Sequence, residues 1–168
     1  MAIDYEGGKL ARSHVKHLLD SSWGDTTPAW FLLGKDVEDT SMELNPSTSI
    51  IKNILDETSV NDEGYEPSLS IDTYYANPDD SIYPKVKEIA FERLTGDACK
   101  TKLLEVIIDK VEGPYDAWIE DCIVKPQSYG GPQGGVNIPF TVTPCGNRKK
   151  GTVTINNGVV TFTEASAG

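Results

Sequence analysis

The chain has 168 residues, enough to bury one core and too few to require a second domain. Its 26 Asp and Glu against 15 Lys and Arg leave a formal charge of −11, so the surface repels phosphate backbones and anionic membranes and argues against a sequence-reading nucleic-acid binder. No apolar run is long enough to span a bilayer, and the charged, glycine-containing start lacks the apolar core of a signal peptide, so the expectation is synthesis and retention in a cytosol.

In "KLARSHVKHLL", residues 9–19, Leu10, Val15, Leu18 and Leu19 recur at near-helical spacing until Gly24 and Pro28 end the pattern. Residues 1–28 are therefore expected to form an N-terminal arm or short helix. "AWFLLGKDVEDTSMEL" reads as two strands, the second with Thr40, Met42 and Leu44 on one face and Asp39, Ser41 and Glu43 on the other. The next stretch, "MELNPSTSIIKNILDETSV", is ambiguous. Ile50, Ile51, Ile54 and Leu55 stand at i, i+1, i+4 and i+5, as on one helix face, yet the flanks look like strands. Two turns of helix are unstable without tertiary burial, and Asn45-Pro46 biases the entry toward extended backbone. An extended arm of strand and loop over 45–66 is the expectation.

"EPSLSIDTYY" alternates Leu69, Ile71 and Thr73 with Ser68, Ser70 and Asp72 until Asn77-Pro78 stops the strand. A helix over about 81–95 follows, with Ser81 placed to cap it and Pro84 early enough to cost no hydrogen bond. Its apolar stripe is Ile82, Val86, Ile89 and Ala90, widened by Phe91 and Leu94, with Gly96 at the C-terminal cap. "TKLLEVIIDKV" puts Leu104, Val106 and Ile108 on one face of a strand and Leu103, Glu105, Ile107 and Asp109 on the other. "DAWIEDCIVKP" returns with Trp118, Cys122 and Val124 at even spacing. "SYGGPQGG" is a flexible connection. "VNIPFTVTP" is a strand in which Pro139 favours an edge or a bulge. "GTVTINNGVVTF" is a hairpin turning at Asn156, Asn157 and Gly158, and 164–168 is a frayed tail. The fold class is mainly antiparallel β with one flanking α-helix, a sandwich or barrel-like sheet forming a single domain over 29–163.

Residues that would carry chemistry do not converge. His14 and His17 are i, i+3 without a third ligand nearby and read as a solvated helix face. Cys99, Cys122 and Cys145 form no CxxC pair and are expected as buried small hydrophobes, with a zinc or redox role well behind. Glu38-Asp39 and Glu120-Asp121 are strand neighbours, so each pair points to opposite faces and cannot share one acid–base site. The glycine run has neither P-loop nor dinucleotide spacing, and no Gly-x-Ser-x-Gly elbow occurs. The expectation is a non-enzyme without metal or cofactor. "NRKKG", residues 147–151, concentrates positive charge and is either a solvated turn or a contact for an acidic neighbour.

Several segments together resemble the tail tube (major tail) proteins of long-tailed bacteriophages and related prophage particles. They are "WFLLGKDVED", "ELNPSTS", "ILDETSVNDEGYEPSLSIDTYYANPDDSIYPKVKEIAFERLTGDACKTKLLEVII", "EDCIVKPQSYGG" and "IPFTVTPCGNRKKGTV", spanning roughly 29–155, with 65–108 the most specific part. The resemblance implies a small β-sandwich with a flanking helix that forms stacked six-membered rings. Each subunit would give strands to one barrel around a lumen, extend a loop to its neighbours, and conduct DNA from capsid to host cell. Implied partners are further copies, a tape measure protein, tail-tip or initiator proteins and a tail terminator. The implied location is the virion tail after synthesis in the bacterial host cytoplasm.

Physical reasoning fits this role, because an open sheet edge invites pairing with another copy and a carboxylate-lined lumen repels DNA phosphate. Alternation offers Asp39, Glu43, Asp72 and Glu105 as lumen acids. For contacts between subunits the candidates are Ile50, Ile51, Ile54 and Leu55, with Arg148, Lys149 and Lys150 facing acids of the arm such as Asp56, Glu57, Asp62 or Glu63. Two rival readings remain: the tube of a genome-free phage-tail-like particle, and a carbohydrate- or surface-binding β-sandwich that uses Trp23, Trp30 and Trp118 as stacking platforms.

Overall fold

The computed structural model describes residues 5, 6, 8–24 and 27–166. β1 (Tyr5–Glu6) and β2 (Lys9–Leu10) make a short ribbon, and a 3-10 turn over Arg12–His14 leads into β3 (Val15–Asp20). β4 (Trp30–Leu32), β5 (Met42–Glu43), β6 (Pro46–Lys52), β7 (Thr58–Tyr65) and β8 (Ser68–Ile71) precede α1 (Tyr83–Glu92). A second 3-10 turn, Gly96–Cys99, starts β9 (Lys100–Ile107), followed by β10 (Tyr115–Pro126), β11 (Phe140–Asn156) and β12 (Val159–Glu164).

One antiparallel sheet runs β4-β3-β9-β10-β11-β8-β5. β11 pairs with β10 along most of its length and splits its other side. Phe140–Val142 hold β8, whereas Gly151–Asn156 hold β12. The split follows two register shifts in the β10–β11 ladder, where Gly146 and Asn147 both have positive φ and take up the extra residues.

Side chains alternate across this sheet, so each face has its own core. Leu19, Leu103, Cys122, Val124, Phe140 and Val142 bury one face, where Ile82, just before α1, and Val86 of α1 join them. Their immediate neighbours Leu18 and Leu104 point the other way, into a second cluster with Val106, Ala117 and Val153 that Phe162 and Val160 of β12 help cover. A fully buried Leu or Phe contributes about 1.5–3 kcal/mol, so both faces hold the sheet together.

Several expectations change. Residues 9–19 form no α-helix, only the 3-10 turn and strand: β3 lies between β4 and β9, and its two faces are both buried, which places Leu18 beside Leu19 and imitates helical spacing. The turn after β3 is tied to Asp20, whose Oδ1 accepts hydrogen bonds from Ser22 N (2.9 Å), Ser22 Oγ (2.6 Å) and Ala29 N (3.1 Å). His17 is buried and paired, not on a solvated helix face. Cys99 and Cys122 are buried as expected, but Cys145 is exposed at the β11 bulge. The helix is shorter than 81–95. Ser81 makes no side-chain cap, and Arg93 takes the left-handed C-terminal position three residues before Gly96. Pro139 precedes β11 at a point flanked by strands on both sides, so its missing donor falls outside the ladder. At the other end, Glu164 remains in β12 and Ala165 N–H bonds Lys150 O at 3.0 Å. Residues 167 and 168 of the expected tail, and 1–4, 7, 25 and 26 of the expected arm, lie outside the described residues.

Candidate functional site

The arm is a free-standing hairpin. β-Branched Thr48, Ile50, Ile51, Thr58 and Val60 suit extended backbone, and β6 pairs with β7 from Pro46↔Tyr65 to Lys52↔Thr58 as a sheet of its own. Its base is clasped by Glu66 N–H to Leu44 O (3.1 Å) and Asn45 Nδ2 to Glu66 O (3.0 Å). At the tip, Asn53 Oδ1 accepts from Leu55 N (2.9 Å) and Glu57 N (3.0 Å), while Asp56 takes the positive φ that closes the loop. This leaves Ile54 101% and Leu55 72% exposed, with Ile50 and Ile51 also exposed along β6. The helical spacing of these four residues thus belongs to an extended arm whose apolar side chains stay exposed among the described residues. Asp56 and Glu57 follow the apex, and Lys52 pairs with Asp56 at 3.3 Å.

A second feature lies on the α1-side face of the sheet, beyond the end of its core. There β3, β9, β10 and β11 bring together His17, Glu105, Glu120 and Arg148. His17 Nε2 is 3.2 Å from Glu105 Oε2, Arg148 Nη1 is 2.8 Å from Glu105 Oε1, and Arg148 also bonds Glu120. Burial alone would raise the Glu105 carboxyl, but the hydrogen bonds and charges of His17 and Arg148 outweigh it and hold the group below the usual carboxylate range. Glu120 goes the other way. Burial raises it, Glu105 adds to the rise, and Arg148 offsets only part. For Arg148, burial opposes the charge while the two carboxylates hold the proton more firmly. Arg148 and Lys150 also stand 5.7 and 5.9 Å over the Trp118 ring.

This cluster places the basic run of β11 inside a strand, which removes the solvated-turn option. Arg148 is engaged within its own chain, Lys149 on the opposite face is 3.5 Å from Glu164, and Lys150 lies over Trp118. Of the candidate lumen acids, Glu43 in β5, Asp39 before it and Asp72 just after β8 are exposed along the β5–β8 edge. Glu105 is apart from them, part-buried in the ionic cluster. Glu120 and Asp121 do diverge as alternation requires, Glu120 to Arg148 and Asp121 to Lys102 and Asn147. Sequence reasoning missed His17, Glu120 and Trp118 as a group, because only the register of four strands brings them together.

The tryptophans are not open platforms. Trp23 Nε1 donates to Ala98 O (3.1 Å), Trp30 packs on the second core cluster, and Trp118 lies beneath the two cations. Among the described residues, no helix is long and apolar enough to cross a membrane.

Neither a protein-family model nor a curated protein matches the sequence. Solved structures do match the fold. The SPP1 tail tube, determined by solid-state NMR and cryo-EM, is similar over 83% of this chain and 77% of its own, with 19% identity and a TM-score of 0.51. A chain from the cryo-EM structure of the PVC extracellular contractile injection system, sheath/tube terminator in the extended state, is similar over 89% of this chain and 99% of its own. It shares 9% identity at a TM-score of 0.50. The mainly antiparallel sheet with its single described α-helix is thus a tail-tube-type β fold.

Proposed function

We propose that this chain is the structural subunit of a phage tail tube, polymerising head-to-tail into stacked, six-membered rings. The observation that carries the proposal is the β6–β7 hairpin: a sheet of two strands, clasped at its base, with Ile50, Ile51, Ile54 and Leu55 exposed in a chain of tail-tube-type fold. Apolar side chains displayed on a rigid projection gain free energy only when another surface covers them. A neighbouring copy in a repeating assembly supplies that surface.

In this reading Asp39, Glu43 and Asp72 on the β5–β8 edge are the candidates for an acidic lumen that lets DNA pass without binding. The Glu105 charge is compensated locally and contributes less. The assembled tube works as a conduit and not as an enzyme. Its partners are copies of itself, a tape measure protein, a tail-tip initiator and a terminator, and its place is the virion tail after synthesis in the host cytoplasm. The tube of a genome-free contractile particle is the nearest alternative, favoured by the similarity to the injection-system chain. Sedimentation velocity over rising concentration tests self-assembly. Wild type should convert to very large species while Ile54→Asp, Leu55→Asp stays monomeric, and a wild type that remains a monomer throughout would refute the proposal.

A further inference from the structure

A groove of about 490 Å³ opens between β3, the end of β4 and the loop that follows it. Its walls include Leu32, Leu33, Val37 and Ile71, an apolar lining of a size that accepts a compact ligand. Its rim is basic, which is unusual in a chain of net charge −11. Arg12 reaches along the mouth, Nη1 to Val15 O (2.8 Å) and Nη2 to Thr40 O (3.0 Å), so its charge meets neutral carbonyls. Lys35 completes the rim, and among the described residues neither it nor Arg12 forms an ion pair. Glu38 is the acid on this rim, and the neighbouring His17 is engaged by Glu105.

The tip of the arm has the converse design. Ile54 and Leu55 project at the apex, Asp56 and Glu57 follow, the exposed Lys52 beside Asp56 leaving the tip a net negative charge, and Asn53 fixes the loop so that little conformational freedom is lost on docking. The seven residues of β6 extend the tip by about 23 Å from its base. Since Ile54 is fully exposed, the tip does not lie in the groove of its own chain. An adjoining groove of about 250 Å³ has Asp36 and Asp80 beside Lys35 and is less suited to an acidic knob.

We infer that the Ile54–Leu55 tip docks into this groove of a second copy, with Asp56 and Glu57 against Arg12 and Lys35. The inference rests on the tube-subunit reading for the existence of copy-to-copy contacts and adds the address on the neighbour. It replaces Arg148, Lys149 and Lys150 as the basic partner of the arm. One knob and one different hole per copy make a heterologous contact, which repeats into rings or helical arrays instead of stopping at a dimer.

The test is cross-linking in assembled protein. In a Cys145→Ser background, Leu55→Cys and Lys35→Cys copies are mixed, assembled and treated with a short bismaleimide, Cys99 and Cys122 being buried. The expected product is a covalent dimer that needs both variants. In parallel, Lys35→Glu should raise the concentration needed for assembly by about fivefold or more, and adding Asp56→Lys with Glu57→Lys should restore it. Tubes that form without this cross-link, or with an unchanged assembly threshold in the reversed variants, overturn the inference and leave the tube reading standing. Failure of the wild type to assemble at any concentration overturns both.

Discussion

Arg148 Nη1 lies 2.8 Å from Glu105 Oε1 and bonds Glu120 from the same atom, so one guanidinium of β11 is shared between two carboxylates of β9 and β10. The Glu120 side chain is only 7% exposed and the Arg148 side chain 43%. Removing the cation leaves a buried carboxylate without its partner, whereas removing one carboxylate leaves the cation paired with the other.

Arg148→Met should therefore destabilise the monomer by about 1–3 kcal/mol in urea denaturation, less than the loss for a fully buried pair because the arginine is partly solvated. Glu120→Gln should cost less than Arg148→Met. Equal losses would mean that the cluster does not act as described.

The two carboxylates should respond to pH with opposite sign. Glu105 is held below its unfolded value, roughly 4.3, so its contribution is fully present above that pH and is lost as pH falls through the depressed folded value. Glu105→Gln should flatten this acid limb. Glu120 is raised, so its ionisation costs folded-state stability above its folded pKa, and the cost disappears as pH falls through that value. Relative to wild type, Glu120→Gln should be more favourable at pH 7 than at pH 4, and Glu105→Gln less favourable at pH 7 than at pH 3. Urea titrations at these pH values would show it.

Gly151 of β11 leaves no room for a side chain against β12. A Cβ there would lie 2.3 Å from Thr163 O and 2.5 Å from Phe162 Cζ. Gly151→Ala should cost about 1–3 kcal/mol by forcing β12 away from the second core, and heat denaturation should show it as a lowered Tm. An unchanged Tm would place β12 elsewhere.

Thiol accessibility checks the bulge. Cys145 is exposed, Cys99 and Cys122 are buried, and burial pushes the Cys122 thiol well up. A thiol reagent should label one cysteine quickly in the folded monomer and all three in denaturant.

Local pattern carried α1, β9, β10 and the Asn157-Gly158 hairpin, because each has an uninterrupted period or a turn residue with positive φ. β3 escapes local pattern for a physical reason. A strand buried on both faces has no alternation, and Leu18 and Leu19 serve opposite cores. The arm was legible from its strand-like flanks, despite an apolar spacing that suits a helix, whereas Asn45 takes a positive φ instead of the extended backbone that the following proline favours. The ionic cluster was not, since His17 and Arg148 are far apart in sequence and meet only through the β3-β9-β10-β11 order and the bulge at Gly146 and Asn147. The basic groove depends likewise on Arg12 and Lys35 arriving from different loops.

The most direct test of the central claim is negative-stain imaging of the purified protein at rising concentration, beside Ile54→Asp, Leu55→Asp. Hollow tubes or stacked rings from the wild type, absent from the variant, are the predicted result. A wild type that stays a monodisperse monomer at every concentration, and binds glycans through exposed aromatics such as the stacked Phe91 and Tyr129, would contradict it.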